Sequence, residues 1–363
     1  MCRILAATCV VGVLASHHNA LAEQKPSLGG NRRVVPDARD LEDQCDLAIE
    51  KALAYLAAGQ QENGSWGAGF GSNTAVVSLA VMAFLAKGHV PDEGPYGEVV
   101  NRGVDFVLAG QRNNGVIFTQ GGGPMYSHGI STLMLSEVVG MTTGERERRV
   151  RETLARAVKL ILDAQKLKQA NSRFGGGWRY QHTSKDSDLS VTGWCLMSLK
   201  AAKNAGAVVR VGPINNAIAY VKRSYVKGGG FTYQPGGGGG SLAMTGTGVL
   251  CLQIAGYHLL AESGKRYHPE ALSSGEWLVK HPVAKYGGGH FHYAVYYIAQ
   301  AMWQLGGRYW EFWQPTFEKL ALANQNADGS WPVVYKQAGP TFSTSMMVLA
   351  LAVKYCYLPI YQR

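Results

Sequence analysis

Two carboxylates stand two residues apart in Asp186-Ser-Asp188-Leu-Ser190, and no other part of this sequence is better suited to chemistry. Carboxyls held close together can share a single proton, because the second charge repels the first. In a dry pocket a proton held in this way is available for general-acid work, which makes Asp186 and Asp188 the catalytic candidates. Asp188 also directly precedes an apolar helical segment, where Asp is a preferred N-cap and the helix dipole favours the charged form. Ser241 occupies the same place one repeat later and would cap equally well, whereas a cap has no use for Asp186. Proton donor and N-cap both remain open at this point.

The remaining candidates are histidines and aromatics. His290-Phe-His292-Tyr293 and Tyr126-Ser-His128-Gly129 each open an apolar segment, which makes His128, His292 and Tyr293 candidate cavity residues. A zinc site needs three or four converging ligands. No Cys-x-x-Cys pair occurs in the sequence to accompany these histidines, so neither a metal nor a cofactor is expected. Tyr180, Trp194 and Tyr233 complete the candidate ligand-binding set. Their faces could hold a prenyl chain or stabilise a carbocation, and equally could pack a core.

The elements that must position these residues repeat along the chain. An amphipathic segment leads into a glycine turn carrying an aromatic, and a more uniformly apolar segment follows. The turns are Gly64-Ser-Trp66, Gly115-Val-Ile-Phe118, Gly175-Gly-Gly-Trp178, Gly228-Gly-Gly-Phe231, Gly287-Gly-Gly-His-Phe291 and Gly329-Ser-Trp331. A gap-free shift of 53 places Trp178 on Phe231, Asp188 on Ser241 and Thr192 on Thr245. Internal copying at such a period decides the architecture. Apolar segments such as 74–87 should be buried and the charged ones should face water. Six copies then predict an all-α, six-repeat α/α toroid over 41–363, with inner and outer helix rings around a central cavity.

Lys51, Ala52, Tyr55, Leu56, Gln60, Gly64 and Trp66, with the second copy at Lys319 to Trp331, resemble the repeat of squalene-hopene and oxidosqualene cyclases. The β subunits of protein prenyltransferases carry a related repeat. The resemblance implies the same toroid, with the Gln and Trp residues as ties between neighbouring units. It also sets Asp186 and Asp188 on the first and middle acids of the cyclase Asp-x-Asp-Asp-Thr motif, whose middle acid protonates a carbon–carbon double bond, and so implies Asp188 as proton donor with Asp186 as its partner. Leu189 departs from that motif, and Ser190 stands where Thr is usual. Triterpene cyclases carry two such domains and this chain has room for one.

Residues 1–22 read as a signal peptide, with Arg3, an apolar run over 4–15 and small residues at 20–22. Residues 23–40 read as a flexible lead-in. An exported chain is therefore expected. Its formal net charge of +10 does not point to nucleic acid, because an exported chain leaves it behind, no recognised binding motif appears, and part of the excess sits in Arg and Lys interleaved with Glu at 145–159. Such a face permits peripheral contact with anionic lipid. Cys45 and Cys356 lie in the first and last repeats and could meet if the ring closes; the alternative is buried thiols throughout. Two function classes result. One is a terpenoid-cyclase-like enzyme acting on an isoprenoid or other apolar ligand, and the other is a non-catalytic toroid that binds a lipid, glycan or peptide.

Overall fold

The computed structural model describes residues 38–362 apart from Ala68. The leader read over 1–22, its two cysteines and the segment 23–37 lie outside the described residues. The inner helices are α2 (Thr74–Leu85), α4 (Pro124–Val138), α6 (Leu189–Asn204), α8 (Leu242–Ile254), α11 (Phe291–Leu305) and α13 (Gly339–Ala352). Their outer partners are α1 (Ala38–Gly59), α3 (Gly97–Ala109), α5 (Gly144–Gln165), α7 (Val211–Arg223), α10 (Pro269–Lys280) and α12 (Gly307–Leu322). A short extra helix, α9 (Tyr257–Ser263), follows α8.

Hydropathy sorts the two rings. Every residue of α2 is buried, as expected for a helix apolar on all sides. In α5 only one stripe is buried, with Val150, Leu154, Ala157, Val158 and Ile161 at helical spacing. Each inner helix packs on the next, and α13 packs back on α2, so the six repeats close into a toroid.

One side-chain device recurs at the joints. The Gln60 amide donates to Gly64 O at 3.2 Å in its own turn and to Val99 O at 2.9 Å on the next outer helix. Gln111 does the same with Gly115 and Thr153, and Gln165 with Gly176 and Pro213. Gln325 completes the circle by donating to Ala48 O of the first repeat at 2.8 Å. The tryptophans tie differently from what the resemblance implied. Trp66, Trp178 and Trp331 each donate the indole N–H to their own repeat's outer helix, at Leu56, Ile161 and Ala321. The glutamine therefore joins neighbours, while the tryptophan locks a turn onto its own helix.

Glycine permits this close joint. At Gly176 φ is +89°, and a Cβ would lie 2.2 Å from Asn216 O of the next outer helix. No other residue type tolerates both the backbone conformation and the contact. Two inner helices begin earlier than hydropathy suggests, α4 at Pro124 and α13 beside Pro340. Proline suits a first helical turn because its missing N–H would be unpaired there anyway.

Ring closure does not bridge the terminal cysteines: among the described residues no disulfide joins Cys45 to Cys356. Cys45 is fully buried, and burial, reinforced by nearby Glu318, pushes its thiol up to about 12. Among the described residues no helix is long and apolar enough to cross a membrane.

Candidate functional site

The first turns of five inner helices surround a cavity of about 310 Å³ at the glycine-turn end of the ring. Val76 and Leu79 of α2, Tyr126 and Ile130 of α4, Trp194 of α6, Phe291 to Tyr293 of α11 and Phe342 of α13 line it, with Phe70 and Tyr335 from loops. Among the described residues no Asp, Glu, Lys or Arg belongs to this wall. Larger hollows lie on the outer ring around α5, lined by Lys159 and Asp163 among others, and do not involve the inner helices' first turns.

Asp188 sits immediately behind the wall rather than on it. It is fully buried and caps α6, where Oδ1 accepts the Val191 N–H at 3.0 Å. The same oxygen accepts the Ser190 hydroxyl at 2.5 Å, and Oδ2 accepts Arg179 Nη1 at 3.0 Å. Burial pushes the Asp188 carboxyl upward, against the pull of these three donors. Ser190 in turn shares a hydrogen bond with the hydroxyl of cavity-lining Tyr126. Because Ser190 gives its own hydrogen to Asp188, Tyr126 is the donor in that bond. The hydrogens of this chain thus point away from the cavity, toward a carboxylate.

Asp186 is half-exposed and does not touch Asp188. Arg179 separates the two, with its Nε 3.2 Å from Asp186 Oδ2. The guanidinium also lies over the Tyr180 ring at 4.4 Å and donates to Tyr233 OH at 2.7 Å. The two carboxyls are therefore not a shared-proton pair: a fixed cation neutralises both. Tyr180 and Tyr233, bonded hydroxyl to hydroxyl, form a partly exposed patch beside Arg179 and lie outside the cavity wall.

Of the predicted ligand-binding residues, the fold brings Trp194, His292 and Tyr293 together on the wall. Trp194 stacks on Tyr296 at 5.3 Å, and Tyr293 donates to Ser190 O at 3.2 Å. His292 meets Tyr286 OH through Nε2 at 2.7 Å, and burial pushes its pKa down to about 4.

His128 is a correction, since it does not face the cavity. It is fully buried, accepts the Ile117 N–H at Nδ1 (3.0 Å) and donates from Nε2 to Ala157 O (3.1 Å). In this role it replaces a threonine. Thr192, Thr245 and Thr344 accept the N–H of Trp178, Phe231 and Trp331 at the same joint in other repeats.

Three residues that hold the site together were missed from sequence: Arg179, Tyr126 and Tyr286. Only Arg179 left a usable signal, since the 53-residue shift sets it, a lone charge, on Thr232.

No protein-family model matches the chain, and no curated protein matches it. Solved structures do. The type II terpene cyclase MstE from Scytonema is similar with a TM-score of 0.57 at 14% identity, over 87% of this chain and 99% of that one. The GH76A α-1,6-mannanase of Salegentibacter sp. HEL1_6 reaches a TM-score of 0.61 at 10% identity, over 86% and 100%. A glycosidase solved with glucose matches at 0.55 and 13% identity, over 89% and 100%. At such identities the likeness shows the fold alone, an α/α toroid on which unlike chemistries are found.

Proposed function

We propose that this protein is an exported toroid that binds an apolar chain of the isoprenoid class in its central cavity. The observation that carries this reading is the wall itself, mainly aromatic and aliphatic, with Asn73, Ser127, His290 and His292 as polar members and no Asp, Glu, Lys or Arg among the described residues. At about 310 Å³ the cavity is at the small end of ligand pockets and suits part of a prenyl chain rather than a folded triterpene. MstE, with a similar fold, has been solved with geranylgeranyl dihydroxybenzoate as substrate. The mannanase has been solved with α-1,6-mannotriose. Glycoside hydrolysis ordinarily needs two carboxyls at the bound bond, and this cavity wall offers none, so the lipid reading is preferred. Export by the leader and a peripheral contact of basic helix faces with anionic lipid belong to the same proposal.

A second reading, acid-initiated chemistry on the bound chain, is favoured by the Asp188–Ser190–Tyr126 hydrogen-bond chain. With Asp188 protonated the chain would run the other way, Asp188 donating to Ser190 and Ser190 to Tyr126. As the Tyr126 hydrogen moves to one alkene carbon the π bond breaks, leaving a carbocation on the other carbon and an Asp188 carboxylate paired with Arg179. One experiment separates the readings. Farnesol is added to the purified full chain, with binding followed by tryptophan fluorescence and products by mass spectrometry. The expected result is saturable binding that Asp188→Asn and Tyr126→Phe preserve, with farnesol recovered unchanged. Turnover that both substitutions abolish would establish acid chemistry instead. Fluorescence that does not respond to farnesol would remove the cavity reading.

A further inference from the structure

We infer that the ligand carries a neutral hydrogen-bond donor, a hydroxyl above all, which it places on Nδ1 of His292. The inference rests on the apolar-chain reading and adds the chemistry of the ligand's polar end.

One proton decides which nitrogen of His292 is free to accept. Tyr286 has a single hydroxyl hydrogen, and it goes to the Pro332 carbonyl at 2.9 Å, which can only accept. Tyr286 must therefore accept at its oxygen from His292 Nε2, 2.7 Å away. A neutral imidazole has one N–H, so this bond fixes the lone pair on Nδ1. No residue among those described donates to that nitrogen, although His292 is only 2% exposed and lines the cavity. His128 shows the contrast, with both ring nitrogens satisfied by backbone groups. His292 is satisfied once, by a tyrosine whose own hydrogen is committed elsewhere.

The surroundings keep the ring uncharged. Tyr286, Phe291 and Phe342 present their rings to it, with centroids at 5.6, 5.3 and 6.2 Å. Burial pushes its pKa down to about 4, so it offers an acceptor and no cation. A diphosphate or carboxylate head would find no Lys or Arg on the wall and would lose its hydration without compensation. A pure hydrocarbon would bury the Nδ1 lone pair unpaired, which also disfavours binding. An alcohol avoids both costs. Sites that hydrogen-bond a ligand hydroxyl discriminate strongly against analogues lacking it.

The test is isothermal titration of the full chain with farnesol, farnesene and farnesyl diphosphate. Farnesol is expected to bind about tenfold or more tightly than farnesene, with the diphosphate weakest. His292→Phe should retain farnesene binding and erase the alcohol's advantage. Tyr286→Phe leaves the packing nearly unchanged but frees the tautomer, and should narrow the same gap if His292→Phe fails to fold. Equal affinity of the native chain for farnesol and farnesene overturns the inference while the apolar cavity stands. Tightest binding of the diphosphate also overturns it. Failure of both farnesol and farnesene to bind would remove the cavity reading, and the inference with it.

Discussion

The third and fourth repeats lie 53 residues apart in sequence and do the same backbone work with different side chains. Asp188 caps α6 through the Val191 N–H at 3.0 Å, and Ser241 caps α8 through the Met244 N–H at 3.3 Å. Thr192 and Thr245 hold the turn aromatics Trp178 and Phe231 at 3.0 and 3.1 Å. The copies part around the cap. Where the third repeat has Arg179, Asp186 and Ser190, the fourth has Thr232, Gly239 and Ala243. A serine therefore suffices for the structural task. The buried carboxylate, its guanidinium and the hydroxyl leading to Tyr126 are additions that the architecture does not require, and they border the cavity.

Truncation at the two caps should expose this difference. Asp188→Ala removes a cap and one charge-assisted hydrogen bond to Arg179, which keeps Asp186, so a loss of about 3 kcal/mol is expected in urea unfolding. A loss no greater than that of a simple cap would mean that the additions carry no energy. Where the repeats agree, damage should be equal. Gly176→Ala and Gly229→Ala place a methyl 2.2 Å from Asn216 O and 2.9 Å from Ser273 O, each at positive φ. Each should cost about 2–3 kcal/mol, and a clear inequality would show that the two joints are not equivalent.

Acidity sharpens the contrast, because Ser241 cannot titrate. Burial raises the Asp188 pKa, so the folded state holds its proton to a higher pH than the unfolded chain does. Stability from this group falls as pH rises from the ordinary carboxyl range through the raised value. Glu137, buried on α4 and accepting the Ile360 N–H at 3.2 Å, is pushed by burial to about 8 and acts with the same sign. His128 and His292, pushed by burial down to about 4, act with the opposite sign below the ordinary histidine range. Melting curves should therefore slope downward in the native chain only between about pH 6.5 and 9. Glu137→Gln should flatten much of that slope, and Asp188→Ser should remove a further downward contribution that begins in the ordinary carboxyl range; a pH dependence unchanged by Asp188→Ser would show that Asp188 titrates normally. The smallest effect is expected for Ser241→Ala, about 1 kcal/mol, with no change in the pH slope.

The architecture was legible because burial is periodic: α2, apolar on every side, could only belong to an inner ring, and the Gln60 and Gln325 segments carried the same joint twice. The candidate site was legible in part. Asp188, Trp194, His292 and Tyr293 stood out by type and place. What Asp188 pairs with did not, because Arg179 reaches it only after the 178–188 turn folds back on itself. His128 misled for a related reason. An imidazole opening an apolar helix looks the same in sequence whether it meets a cavity or, as here, a neighbouring turn and outer helix that bond both nitrogens. Tyr286 gave no signal, since its importance lies in which of two partners receives one hydrogen.

The bond from Gln325 to Ala48 spans 277 positions of chain and has a consequence for how the molecule assembles. Linear solenoids need polar terminal units and can grow or melt from either end. The ring leaves no end repeat without a neighbour, so the first helix and its partners in the sixth repeat meet only after that repeat has been made. Docking them incurs a large loop-closure cost, and a protein of this kind should lose its structure all at once rather than fray repeat by repeat. Joining Ala38 to the C-terminus by a linker and reopening the chain at a glycine turn would then leave the ring whole.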